Sequence, residues 1–209
     1  MKQGMDKLKQ VAKKYKKMAL FLLGFAIIGF ITGTLFTTIL SETDKNLVKD
    51  YITGFINKIE NNQLNYINSF KNAFTSNVIF IVTIWIFGMS VVGIPINLFI
   101  YFAKTFMLGF SISAFILQYK IKGCLLSLIY IFPHHIINVV IYTALLIFSI
   151  NFSKKIIHSF KSKKPISFQS SFKRYSVIFF FGLVLITFTT IIEIFVTPFL
   201  LKKILFVIK

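Results

Sequence analysis

Few polar side chains interrupt the apolar segments of this chain, and any chemistry would have to reside in them. Lys104, Glu193, Asn97 and the run Pro133-His134-His135 with Asn138 lie among Ile, Leu, Phe and Val. Ionisable groups are expensive in hydrocarbon and are ordinarily kept there for a reason. His134 and Asn138 are four apart and share a helical face, whereas His135 points elsewhere. A metal centre would want these imidazoles joined by carboxylates or thiolates on facing helices. Glu193 is the one acid inside an apolar segment, so no metal site is read. An intramembrane serine protease would pair a Ser nucleophile with a His base. Ser90 and Ser111 are present, but Gly109-Phe110-Ser111-Ile112 lacks the Gly-x-Ser-Gly pattern of rhomboid proteases. With no phosphate-cradling loop and no paired carboxylates, the sequence is read as non-enzymatic and without a cofactor.

The elements that position these groups belong to a membrane. The 209 residues are 56% hydrophobic, include 27 Phe and have a mean hydropathy of +0.78. Several apolar segments exceed the length that one bilayer crossing needs, which excludes a soluble core. A formal charge of +18 would suggest nucleic acid in a soluble chain. Here the lysines cluster at the ends of apolar segments, where they set orientation and meet anionic membrane lipid, so no nucleic acid is expected. Cys124 is the single cysteine, which excludes an internal disulfide.

The organising stretch runs from Trp85 to Gly109 and is nearly unbroken in its apolarity. Its sharp punctuation is Gly93-Ile94-Pro95, which lets the backbone bend and removes an amide donor. The expected fold is therefore an all-α membrane protein of about five transmembrane helices with a central Gly/Pro-turned helical hairpin. Gly88 and Gly93 are smooth spots where neighbouring helices approach. Expected spans are 18–40, 77–94, 96–117, 124–150 and 175–201, in a single polytopic domain of residues 18–209. Residues 1–17 are basic and carry apolar side chains at helical spacing, which suits a cytoplasmic amphipathic segment or a plain charged retention signal. Gly29, Gly33 and Thr37 give the first span a small-residue face.

Residues 41–76 form a neutral loop with Asn61-Asn62 as its expected break, and Ser41 with Asp44 resembles a helix cap. Val48, Ile52, Phe55 and Ile59 mark one apolar face within it. Two readings fit: an amphipathic hairpin lying on the membrane, or a platform on which a partner docks. Residues 151–174 form a second basic loop. Two basic regions separated by an even number of crossings place the amino terminus in the cytoplasm and the neutral loop outside. On that topology Lys104 lies roughly 12 Å past the Pro95 turn and Glu193 roughly 27 Å along its helix from Tyr175. The two are then expected in opposite leaflets and not as a pair. Pro133, inside the fourth span, would leave the carbonyl of Ile129 without its helical donor.

Three sets of residues carry a family resemblance. Trp85-Ile86-Phe87-Gly88, Gly93-Ile94-Pro95 and Phe102-Ala103-Lys104-Thr105-Phe106-Met107-Leu108-Gly109-Phe110 resemble the central hairpin of the stage II sporulation protein M family. Lys122-Gly123 followed by Phe132-Pro133-His134-His135 is similar to its next element. Ile192-Glu193-Ile194-Phe195-Val196-Thr197-Pro198 is similar to its acidic-to-proline motif in the final span. This chain departs from the family at Thr105, often a glycine there, and at His134-His135, where glutamine or asparagine is usual. The resemblance implies a multi-pass cell-membrane protein of the sporulation septum. It would anchor two secreted cell-wall hydrolases, stage II sporulation proteins D and P, during engulfment. Relatives beside circular bacteriocin genes imply the alternative, a component of peptide export or immunity. Structural or functional candidates are Gly88, Gly93, Pro95, Lys104, Gly109, Pro133, His134, Asn138, Glu193 and Pro198; Val48, Ile52, Phe55 and Ile59 are the docking candidates.

Overall fold

A computed structural model describes residues 2–162 and 168–208, and all their regular structure is helical. The order is α1 (Lys2–Phe36), α2 (Glu42–Glu60), α3 (Tyr66–Gly88), α4 (Gly93–Tyr130), α5 (Phe132–Ser162), α6 (Phe168–Ile191), a π-helical turn (Ile192–Val196) and α7 (Thr197–Ile208). Five stretches are long and apolar enough to cross a membrane: Tyr15–Phe36, Tyr66–Gly88, Gly93–Tyr130, Pro133–Ser159 and Phe168–Leu205. The expected class and span count therefore hold. The basic amino-terminal stretch is continuous with the first span as one helix.

Local chemistry sets the ends of α2 and α3. The Ser41 hydroxyl accepts the Asp44 amide at 3.1 Å and donates to the Asp44 carboxylate at 2.6 Å. This satisfies one of the donors a helix start leaves bare. The Lys45 ammonium, 2.9 Å from Glu42 Oε1, holds that exposed carboxyl below its usual range. Asn62, with φ of 56°, makes the turn out of α2, a conformation Asn tolerates better than most residues. Asn65 then caps α3 by accepting the Asn68 amide.

The central hairpin is present, but its turn lies earlier than Gly93-Ile94-Pro95. Met89–Val92 reverse the chain, and Gly93 and Pro95 open α4. Pro in a first helical turn forfeits an amide that has no intrahelical partner anyway, so it punctuates a helix start as readily as a turn. Gly93 meets the Phe87 carbonyl where a Cβ would stand. Ser153 of α5 secures the turn, donating within reach of the Gly88 and Ser90 carbonyls at 2.7 and 3.0 Å.

Residues 124–131 are not part of the fourth span, contrary to the expected 124–150. Lys120 breaks α4 with φ 51° and ψ −126°, and Gly123 folds back against the Phe115 carbonyl. The short helical piece after the break lays Leu126 and Ile131 over one end of the bundle. Pro133 therefore sits in the first turn of α5, and the expected mid-span carbonyl gap at Ile129 does not arise. Spans two and five begin before the expected 77 and 175, because polar residues continue those helices past the apolar run.

α5 is the most enclosed helix. Its Tyr142, Leu145, Leu146 and Ile150 pack with Phe80, Ile81, Ile84, Tyr101, Phe179 and Ile186 in the main core. α1 lies along α4, and Gly33 and Gly109 admit the carbonyls of Phe106 and Phe30 where side chains would stand. Thr37 and Ser113 close this seam with a 2.6 Å hydrogen bond. Small residues permit such contact where lipid supplies no hydrophobic drive between helices. Phe180, Phe181, Val184 and Phe188 of α6 face outward, as a lipid surface requires.

Candidate functional site

Polar side chains from four helices converge inside the bundle around Asn77 of α3. Its amide nitrogen donates to Thr190 of α6 at 3.1 Å. Its oxygen accepts from the Tyr142 hydroxyl of α5 at 3.1 Å and from the Lys104 ammonium of α4 at 3.5 Å. Lys104 also stands 5.5 Å from the centre of the Phe80 ring, which faces it with the negative side of its quadrupole. Glu193 lies beside the group: Oε1 is 4.0 Å from His134 Nε2, and its carboxyl is within electrostatic range of Lys104 without a direct ion pair. Asn138, one turn along α5 from His134, accepts a 2.6 Å hydrogen bond from Thr189.

Lys104 and Glu193 therefore lie at one level of the bundle and not in the expected opposite leaflets, while no direct ion pair joins them. α4 starts before Pro95, which sets Lys104 roughly 16 Å along its helix. The along-helix count also ignored stagger between helices.

Glu193 is presented by the π-helical turn, and Pro198 accounts for that turn. Proline supplies no amide to the carbonyls one turn behind it. The Thr197 amide bonds the Ile192 carbonyl, five residues back. The Thr197 hydroxyl lies 2.5 Å from the Glu193 carbonyl and 3.0 Å from that of Ile192. Side-chain donors commonly repair proline gaps within membranes. Single π turns often mark functional positions, and this one carries the acid.

A second polar layer lies toward the α3–α4 turn. Asn97 donates to the Ile84 carbonyl at 3.1 Å and to Ser149 at 3.0 Å. The Tyr175 hydroxyl reaches the carbonyls of Ile84 and Trp85. Gly88 leaves room here, since a Cβ would overlap the Tyr175 hydroxyl and Ser149 and force them to shift.

Of the sequence candidates, Lys104, His134, Asn138 and Glu193 come together, with Pro198 behind Glu193. Gly88, Gly93, Pro95 and Gly109 serve helix contacts and the hairpin, and Pro133 starts α5. Val48, Ile52, Phe55 and Ile59 do not form an open platform. Ile52, Ile56 and Ile59 are buried against Ala114, Phe115, Leu126 and Leu201, and Val48 and Phe55 pack beside them. The face is consumed because α4 folds back and α7 extends over the same end. Asn77, Tyr142, Thr189 and Thr190 were missed. Asn77 fell on the expected start of span two, where an amide needs no explanation; its position within an apolar helix was the available signal.

His134 Nδ1, Asn138 Nδ2 and Glu193 Oε2 are buried with no hydrogen-bond partner among the described residues. No serine or cysteine in the cluster stands on His134, so its geometry offers no activated nucleophile. Among the described residues no three His, Cys, Asp or Glu side chains are grouped to hold a metal ion.

Five long apolar helices around a buried polar cluster define a multi-pass α-helical membrane protein. The family model for stage II sporulation protein M matches residues 18–198, and the chain belongs to that family. No curated protein and no solved structure matches it.

Proposed function

We propose that this chain is a non-enzymatic membrane scaffold of the sporulation engulfment machinery. It anchors and localises the secreted peptidoglycan hydrolases, stage II sporulation proteins D and P, at the septal membrane. The observation that carries the proposal is the family match, which runs from the first span to Pro198. The lysine-rich end, where α5 meets α6, is cytoplasmic by its charge. The α2 end then lies outside, where secreted hydrolases work.

With its inner face spent on the bundle, α2 offers partners its other side. Leu47 and Tyr51, four apart, are 62% and 79% exposed. The test is affinity purification of the tagged chain from sporulating cells, followed by imaging of a hydrolase fusion. Both hydrolases co-purify, and deletion of the chain disperses them from the septum. Unchanged septal hydrolase in the deletion strain rejects the scaffold.

The buried Lys104–Asn77–Glu193 group favours a second reading, a component of peptide export or immunity. Transporters keep polar groups near the bilayer middle. Under that reading the deletion strain engulfs normally and loses export of, or immunity to, a circular bacteriocin.

A further inference from the structure

Around Tyr15, at the lysine-rich end of the bundle, α1, α5 and α6 leave a cleft of about 360 Å³. Lys154 and Lys155 of α5 and Arg174 of α6 line it, together with Tyr15, Phe148 and Ile178. Among the described residues lining it, none is acidic. Tyr15 and Phe148, with ring centres 6.0 Å apart, line both this cleft and a second, larger groove that adjoins it. That groove, about 740 Å³, runs between α1 and α5, with Lys13 and Lys16 at one end. Leu20, Leu23, Ala144 and Ile147 continue it along the apolar length of the two helices.

A basic cleft joined to an apolar groove is the shape of one ligand class. We propose that this is a binding site for an anionic phospholipid. The phosphate sits among Lys154, Lys155 and Arg174, and an acyl chain lies between α1 and α5. Each cation near a membrane surface adds to the attraction for anionic lipid, and basic pockets between transmembrane helices suit such headgroups. Arg174 adds a planar fork that matches two phosphate oxygens. A free phosphate or a nucleic acid would use the cations and leave the groove idle. The groove therefore distinguishes a lipid from them. The site does not depend on the engulfment reading, since it lies at the end opposite α2.

The test uses the full chain in zwitterionic nanodiscs, titrated with phosphatidylglycerol and read by native mass spectrometry. The wild-type chain holds phosphatidylglycerol in preference to phosphatidylcholine. Lys155→Gln with Arg174→Gln weakens the apparent affinity for phosphatidylglycerol roughly thirtyfold. The distant pair Lys58→Gln with Lys71→Gln leaves it unchanged. Ala144→Phe fills the groove without altering charge and also lowers occupancy, while excess inorganic phosphate displaces little of the bound lipid. The proposal is overturned if phosphatidylglycerol has no advantage over phosphatidylcholine, or if both charge pairs act alike. It is equally overturned if Ala144→Phe has no effect or inorganic phosphate displaces the lipid, which would make the ligand phosphate alone. Thermal unfolding of each variant, compared with wild type, separates lost binding from lost fold.

Discussion

Lys104 of α4 meets Asn77 of α3 inside the bundle, its ammonium 3.5 Å from the amide oxygen, with Glu193 within electrostatic range of the cation. An ammonium and a carboxylate buried in hydrocarbon are each costly alone and tolerable together. Asn77 holds the Lys104 ammonium and also binds Tyr142 and Thr190. The cluster thus ties α3, α4, α5 and α6 at one level. Interhelical hydrogen bonds in membranes average only about 0.6 kcal/mol each, so its value to the fold lies in specifying which helices meet.

Removing one charge should therefore harm the protein more than removing both. Lys104→Met alone leaves a buried carboxylate with no cation, whereas Lys104→Met with Glu193→Gln leaves two neutral groups. A double-mutant cycle measured by reversible unfolding in mild detergent should give a coupling of at least about 1 kcal/mol. Strictly additive losses would mean that the two charges do not interact. Glu193→Gln should also be tolerated better than Glu193→Leu, because an amide keeps its hydrogen-bonding capacity in lipid.

The α1–α4 seam predicts a second asymmetry. Gly33→Leu and Gly109→Leu each drive a side chain into a backbone carbonyl of the facing helix, which cannot yield as a flexible side chain does. Gly24, which has open space around it, should accept Leu. A crosslink between cysteines placed at Thr37 and Ser113, whose hydroxyls are 2.6 Å apart, should form in the parent and in Gly24→Leu and fail in the other two. Equal crosslinking in all four would show that the seam tolerates bulk.

Length and apolarity made the helix class and the five crossings legible, because a bilayer fixes how long a span must be. The Gly29–Gly33–Thr37 face was legible for a related reason: small residues four apart have one obvious use between helices. Punctuation misled. Pro95 and Pro133 read as a turn and a mid-span kink, yet both open helices, since a first helical turn has no amide bond for proline to break. The Lys120 break falls in the gap expected between spans 96–117 and 124–150; what stayed hidden is that 124–131 folds back over the bundle instead of starting the next span. The common level of Lys104 and Glu193 was hidden because depth counted along separate helices ignores their stagger. The apolar face of α2 was visible, but sequence cannot say whether such a face meets a partner or its own chain.

Topology has a direct measurement. With Cys124 replaced by Ser, single cysteines at Asn61 and Lys155 lie at opposite ends of the bundle, both at exposed positions. An impermeant thiol reagent applied to intact cells should label the first and spare the second. Labelling at Lys155→Cys would invert the assignment that the lysine count supports.

The last prediction separates the two faces of α2. Ile56 is 4% exposed and packs with Leu126, Ile131 and Leu201. Fully burying such a side chain is worth about 1.5–3 kcal/mol, and an aspartate there adds the cost of a buried charge. Ile56→Asp should therefore detach α2 from the bundle, lowering thermal stability and opening the chain to protease near Asn61. Phe55→Asp should do the same more weakly, because Phe55 is only partly enclosed, its ring 5.0 Å from that of Tyr130. Tyr51→Asp and Leu47→Asp, on the open side, should leave stability and protease resistance unchanged. If α2 receives the hydrolases, Tyr51→Asp should nonetheless abolish their co-purification and stall engulfment, a loss of partner without a loss of fold. Retained hydrolase and normal engulfment in both Tyr51→Asp and Leu47→Asp would remove α2 as the docking surface. Substitutions at His134 and Asn138 would then be the ones to score for peptide export or immunity.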